Sequence, residues 1–269
     1  MHRRIERKFV GGVMGLWMLY GAMIQAAETP QGAPGFKHAS GYLPSGQIDV
    51  MQILPPYPAP QSAADAADLA ALRVFQQSGA DAMRWTLAVA DQELSYSRFQ
   101  DAFGAPITSQ QRPRLTRLLD RIEASMSSAL SQGKKTFARP RPYQRMQMDR
   151  VCGFDNPPAP GVKSKDGSYP SGHSVFGWAA ALALARVEPE RAQQILARGQ
   201  EFGESRLVCG VHHPSDVAAG RLLAGAIMGR IQATSEFQQD LQCAREEQAV
   251  LDKKLPRLSP QCAVTAAVH

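Results

Sequence analysis

The chain has 269 residues, 44% of them hydrophobic and 20% charged, with a formal net charge of +6. These fractions are ordinary for a globular protein, and the length is enough for one large domain or two small ones. About half of the net charge lies in the first eight residues. The remainder is too small to indicate nucleic acid as the main partner.

The N-terminus has the three-part layout of a secretory signal peptide. A basic start is followed by an apolar run over 9–24 and by small residues at Ala26 and Ala27. A membrane anchor is the alternative, but the run is short for a full span and the charged Glu28 follows closely. We therefore predict a cleaved signal peptide over 1–26, and no later segment is apolar enough to cross a bilayer.

The elements that follow are predicted to be helices. Residues 27–61 are rich in proline and glycine and predict an extended arm along the surface. Periodicity and capping residues then predict helices over about 62–75, 80–90 and 95–103, from 108, over 172–186, from 189, from 213, and over 235–251. Five prolines make 134–169 mostly loop. We expect one all-α domain over 62–251 and a mobile polar tail over 252–269.

The chain has four cysteines, at positions 152, 209, 243 and 262. An even number in an exported chain suggests disulfides, for which three connectivities exist. We favour Cys152 with Cys209 and Cys243 with Cys262, and the alternative is that some are free buried thiols. No pair has the CxxC spacing of a zinc knuckle or a thioredoxin-type motif.

Three clusters have the residue types of a phosphate site. They are Lys134-x6-Arg141-Pro142, Pro170-Ser171-Gly172-His173 and Ser205-Arg206-x5-His212-x3-Asp216. Arginine offers forked donors to phosphoryl oxygens, lysine a point charge, and a helix start at Gly172 offers free N–H groups. Arg206 falls on the core-facing side of its helix and so needs a partner anion. Lys134 could instead be a solvated cation, and Arg139 could replace Arg141 as the ligand.

The two histidines of the clusters are predicted to have different roles. Asp216 lies one helical turn after His212 and can orient its ring, which leaves Nε2 as a nucleophile. His173 has no carboxylate at that spacing and suits a general acid for the leaving group. His213 is interpreted as a bystander, because Pro214 follows it and no residue is seen to orient it.

The three clusters match the signature of the type 2 phosphatidic acid phosphatase superfamily, which vanadium haloperoxidases share. The surrounding sequence resembles bacterial class A non-specific acid phosphatases at 53–58, 167–173, 203–206 and 209–212. The resemblance covers nearly all of the chain after the signal peptide. It departs at Pro140, in the proline-rich 143–168 segment, at His213, where an aromatic residue is more familiar, and in the tail after Leu251.

The resemblance implies a helical bundle of the phosphatidic acid phosphatase and haloperoxidase kind, located in the periplasm or secreted. It implies metal-independent hydrolysis of small phosphomonoesters to alcohol and inorganic phosphate through a phosphohistidine, with transphosphorylation as a possible extension. Neither a cofactor nor stable membrane insertion is expected, and family members are commonly homo-oligomers. By motif position, the implied phosphate ligands are Lys134, Arg141, Ser171, Gly172 and Arg206. The implied catalytic residues are His212, Asp216 and His173.

Other functions would use the same residue types. A lipid, polyprenyl or nucleotide phosphohydrolase would have the same site, as would a vanadium haloperoxidase, although those chains are usually much longer. A metal site at His173, His212 and Asp216 is disfavoured, because three neighbouring cations would repel a divalent ion. A phosphate-binding protein without catalysis would leave the pairing of His212 with Asp216 unexplained.

Overall fold

A computed structural model describes residues 40–164 and 166–264. The predicted signal peptide lies outside this range, as does the first part of the predicted arm. The helices are α1 (Val50–Ile53), α2 (Ala63–Ser78), α3 (Ala82–Ala90), α4 (Gln100–Phe103), α5 (Pro113–Phe137), α6 (Pro142–Arg145), α7 (Gly172–Val187), α8 (Ala192–Val208), α9 (Pro214–Ile231), α10 (Ser235–Leu251) and α11 (Pro260–Val264). Short 3₁₀ turns precede α4 and α8. The described residues contain no strand, which confirms the predicted all-α class.

Helix α7 lies at the centre of the fold, packed against α5, α8, α9 and α10. Its alanines and glycines let neighbouring helices approach closely on several sides. A Cβ added at Gly199 of α8 would lie 2.4 Å from the Cβ of Ala181 and 3.0 Å from the backbone oxygen of Gly177. This close packing of α8 on α7 holds the end of α8 beside the start of α7, where two of the three clusters lie.

Several helix ends agree with their sequence signals, and one does not. Helix α2 starts after Ser62, whose hydroxyl accepts from the Asp65 N–H at 3.1 Å, and α10 has the bounds that the periodicity predicts. The long helix starts at Pro113 rather than near Thr108. Thr108 instead forms a turn, in which its carbonyl accepts from the Arg112 N–H at 2.8 Å. Proline at the first helical position sets the start, because its fixed φ suits that position.

The predicted surface arm is, in its described part, anchored in the core. Val50 and Leu54 are buried, and Asp49 caps the helical turn α1 by accepting from the Met51 N–H. The Tyr42 hydroxyl donates to Asp240 Oδ2 at 2.7 Å across the fold. The prediction of a surface arm did not allow for these buried residues or for the turn α1, whereas residues 55–60 are non-helical and exposed or half-buried.

The predicted mobile tail is tied down as far as residue 264. Cys262 forms a disulfide with Cys243 of α10, and its carbonyl accepts from Arg114 Nε at 2.8 Å. The Ser259 N–H donates to Glu246 Oε2 at 2.9 Å. The disulfide thus restrains this short polar segment at Cys262, and the mobility of the rest of the tail stays a prediction.

The second disulfide joins Cys152, in the long loop, to Cys209 at the end of α8. Both pairings are those favoured from the sequence. No helix among the described residues is both long and apolar enough to span a membrane.

Candidate active site

The three clusters meet at one cavity of about 340 Å³. Helix α5 contributes one wall, the first residues of α7 a second, and the segment from α8 to α9 a third. The residues that line it are Leu94, Glu123, Met126, Ser127, Leu130, Lys134, Arg141, Asp166, Gly172, His173, Val175, Phe176, Arg206 and His212. Six of the eight predicted site residues therefore line one space, and Asp216 and Ser171 lie behind it.

Three cations line this cavity at Lys134, Arg141 and Arg206. Lys134 Nζ donates to the Gly167 carbonyl at 2.8 Å, and burial, with a smaller effect of Arg141, lowers its pKa to about 8. Arg206 is 6% exposed, and burial next to Arg141 lowers its pKa to about 10. Its Nε is buried without a hydrogen-bond partner, and no described carboxylate forms an ion pair with it. The arrangement favours an anion in the cavity.

Arg141 and Arg139, the two candidate phosphate ligands of the first cluster, lie at different positions relative to the cavity. Arg141 Nη1 donates to the Val211 carbonyl at 2.9 Å and lies 3.3 Å from His212 Nε2, at the cavity wall. Arg139 is 1% exposed and lies behind the site. Its guanidinium forms ion pairs with Asp216 Oδ1 at 2.7 Å and Asp68 Oδ2 at 2.8 Å. Arg141 can therefore reach a ligand, whereas Arg139 fixes the carboxylate behind the histidines.

Asp216 contacts two histidines, not one. Its Oδ2 is 3.4 Å from His212 Nδ1, 3.1 Å from His213 Nδ1 and 2.7 Å from the His213 N–H. Burial alone would raise the pKa of Asp216, but hydrogen bonds from both histidines hold it well below its usual range. The expectation that no residue orients His213 is wrong, since Asp216 contacts both its ring and its backbone N–H. Because His213 is the residue before Pro214 at the start of α9, its backbone N–H points at a carboxylate three residues on.

His212 is held in a form that can act as a nucleophile. It is 2% exposed, and burial lowers its pKa to about 3, even though the hydrogen bond to Asp216 acts in the opposite direction. With Nδ1–H directed at Asp216, the lone pair is on Nε2, beside Arg141 and the cavity. The ring is therefore neutral, and its lone pair is available, over the whole range in which most proteins are stable.

His173 and Ser171 both lie at the start of α7, but their side chains make different contacts. His173 Nε2 is 3.0 Å from the Gln92 carbonyl, to which it donates, so the cavity-side nitrogen is Nδ1. Burial, with Arg206 nearby, holds the pKa of His173 well below its usual value. The Ser171 hydroxyl accepts from the Ser174 N–H at 3.4 Å, and the Ser171 N–H donates to the Asp216 carbonyl at 3.0 Å. Ser171 thus caps α7 and ties it to α9, while Gly172 faces the cavity.

Sequence reasoning missed the group that supports Asp216 from behind. Asp68 of α2 pairs with Arg139, and its Oδ1 accepts from the Ser215 N–H at 2.9 Å. No local motif marks Asp68, because its partners lie 71 and 147 residues away along the chain. The available signal was its spacing of four residues from Leu72, which places Asp68 on the buried face of α2. No group of three or more His, Cys, Asp or Glu side chains suited to a metal ion was found in the described part of the chain.

We expect phosphate affinity to fall as the pH rises through about 8. The pKa of Lys134 is lowered to about 8, so its charge is largely present at neutral pH and is lost above pH 8. Titration calorimetry with inorganic phosphate should show weakening by up to about tenfold per pH unit above 8. Lys134→Arg, which keeps its charge, should remove this dependence, and an unchanged slope in that variant would contradict the assignment.

Comparison with known proteins agrees with the all-α fold and with the phosphate-binding character of the cavity. The PAP2 superfamily model matches residues 122–238, which contain all three clusters. The matched segment, a little under half of the chain, is thus similar to the PAP2 superfamily.

The relatives are bacterial phosphatases. A non-specific acid phosphatase of Providencia stuartii is 40% identical over 156 residues, which are 58% of this chain and 61% of that protein. An acid phosphatase of Zymomonas mobilis is 35% identical, over 61% of this chain and 62% of its own length. A non-specific acid phosphatase of Salmonella typhi is 36% identical, over 61% of this chain and 66% of its own length. The matched part thus spans a little under two thirds of each relative.

Proposed function

We propose that the protein is an acid phosphatase that hydrolyses small phosphomonoesters to an alcohol and inorganic phosphate. The observation that carries this proposal is the convergence of Lys134, Arg141 and Arg206 on one cavity with the Nε2 lone pair of His212. Three fixed cations suit the charge of a five-coordinate phosphoryl transition state. The named activities of the similar bacterial proteins are of the same kind.

In the first step, the phosphoryl group is held by Lys134, Arg141 and Arg206, with the Gly172 N–H at the start of α7 assisting. His212 Nε2 attacks phosphorus, the P–N bond forms, and the bond from phosphorus to the leaving oxygen breaks. His173 gives its Nδ1 proton to that oxygen, and the alcohol leaves. A bound phosphate monoester raises the low pKa of His173 through its negative charge, so substrate binding favours the protonated acid.

In the second step, neutral His173 removes a proton from water, whose oxygen attacks phosphorus. The P–N bond breaks, inorganic phosphate forms, and His212 regains its lone pair. An alcohol in place of water would yield a new phosphomonoester, which is transphosphorylation. Asp216 orients the His212 ring and balances the positive charge that it carries in the phosphohistidine.

We further propose that the protein acts after export, in the periplasm or outside the cell. Two disulfides support this location, because such bonds persist in oxidising compartments. The signal-peptide layout of the first residues supports it as well.

The assay of function is hydrolysis of p-nitrophenyl phosphate by the purified protein at acid pH. We expect turnover that is unchanged by EDTA, with competitive inhibition by vanadate. Loss of activity in EDTA would overturn the metal-independent mechanism. Efficient bromide oxidation with peroxide and vanadate, without phosphatase activity, would assign the site to the haloperoxidase class.

A further inference from the structure

The cavity has two chemically different ends, set by one face of α5. Glu123, Met126, Ser127, Leu130 and Lys134 all line it and recur at helical spacing along that face. At 1.5 Å per residue, the backbone of Glu123 lies about 16 Å along the helix from that of Lys134. A leaving group that extends along this face from a phosphoryl group at Lys134 would pass Leu130 and Met126 before it reached Glu123.

Glu123 has no cation of its own. The Tyr96 hydroxyl donates to its Oε2 at 3.0 Å, and no described lysine or arginine forms an ion pair with it. Asp120, one turn earlier, adds to the acidic character, and its Oδ1 is buried without a hydrogen-bond partner. Burial raises the pKa of both carboxyl groups, that of Asp120 to about 7. The leaving-group end of the cavity is thus acidic and only partly solvated.

We propose that Glu123 determines specificity by disfavouring phosphomonoesters whose leaving group carries a negative charge. A second anion at this end would meet an unpaired carboxylate beside apolar walls, where charges repel more strongly than in water. Neutral or cationic leaving groups meet no such repulsion. This inference rests on the proposed phosphatase function, because it concerns the other half of the same substrate.

The test compares two substrates of nearly the same shape, 4-carboxyphenyl phosphate and 4-carbamoylphenyl phosphate, at neutral pH. We expect Glu123→Gln to raise kcat/KM for the carboxylate substrate about tenfold, mainly through KM, because the repulsion acts on binding. For the carboxamide substrate, kcat/KM should change less than about threefold. An equal change for both substrates, or no change for either, would overturn the proposal.

Asp166 provides a matched control, since it also lines the cavity but is exposed at the rim. Asp166→Asn should change the ratio of kcat/KM between the two substrates much less, because solvent screens its charge.

If Glu123→Gln does not fold, Glu123→Asp provides a second variant, because its shorter side chain withdraws the carboxylate. It should shift the ratio in the same direction, and an unshifted ratio contradicts the inference. Wild-type protein inactive on both substrates would refute the phosphatase proposal itself, a different outcome from active enzyme with an unchanged ratio.

Discussion

His212→Ala should lower kcat for p-nitrophenyl phosphate by at least about 10⁴-fold while leaving phosphate affinity within about threefold. The variant loses the Nε2 lone pair that faces the cavity but keeps the three cations that would hold the phosphoryl group. Steady-state kinetics with phosphate as a competitive inhibitor of residual activity, and calorimetry for phosphate binding, measure the two parts separately.

The matched control is His213→Ala, because His213 is the neighbouring residue and bonds the same Asp216 Oδ2. This ring is fully buried and does not line the cavity, so its loss should act through the position of Asp216. We expect a loss of about 10–100-fold, as for other groups that orient a reactive side chain. Near-normal turnover in His212→Ala, or a loss in His213→Ala as large as that in His212→Ala, would reject His212 as the nucleophile.

Arg139→Met should destabilise the fold by about 3–5 kcal/mol, since removing one partner of a buried ion pair leaves the other charge uncompensated. Arg139 is 1% exposed and is shared by Asp68 and Asp216, two carboxylates on different helices. Without it, both buried carboxylates would lose the cation that they share. Urea unfolding monitored by circular dichroism measures the change as a lower midpoint at constant slope.

Arg145→Met is the control for this prediction. Its side chain is 21% exposed and pairs with Asp65 of α2 at 2.6 Å. Like Arg139 it is an arginine that pairs with α2, but it is more exposed to solvent. We expect a smaller loss, of about 1–2 kcal/mol, because Arg145 is partly exposed and Arg139 Nη2 remains 3.8 Å from the buried Asp65. Equal losses of unfolding free energy in the two variants would show that the burial of Arg139 does not determine how much its ion pairs stabilise the fold.

The features that the sequence predicts well depend on residues that lie close together along the chain. The capping serine at Ser62 and the apolar periodicity of α10 act within a few residues, so helix positions follow from them. His212 and Asp216 are also close along the chain, although His212 precedes the start of α9 and the contact forms at the end of that helix rather than across a helical turn. The three clusters come together because the second lies at the start of α7, and the first and third lie at the ends of α5 and α8 and the start of α9, which all pack on α7.

The parts that could not be predicted depend on contacts between distant residues. Asp68 supports Asp216 only through Arg139, and no spacing within the chain indicates that three-residue arrangement. The contact of His213 with Asp216 was not predicted, because a backbone N–H, not the side-chain type, gives that residue its shortest bond to the carboxylate. Likewise, Cys262 fixes a segment whose polar composition by itself predicts mobility.

The most direct test of the proposed mechanism is to trap the phosphoenzyme during turnover of a ³²P-labelled phosphomonoester. A phosphohistidine is stable to alkali and labile to acid. We therefore expect label after an alkaline quench, little after an acid quench, and mass-spectrometric assignment of the phosphate to His212. His212→Ala should carry none. A label that survives acid, or one that maps to another residue, would contradict attack by His212.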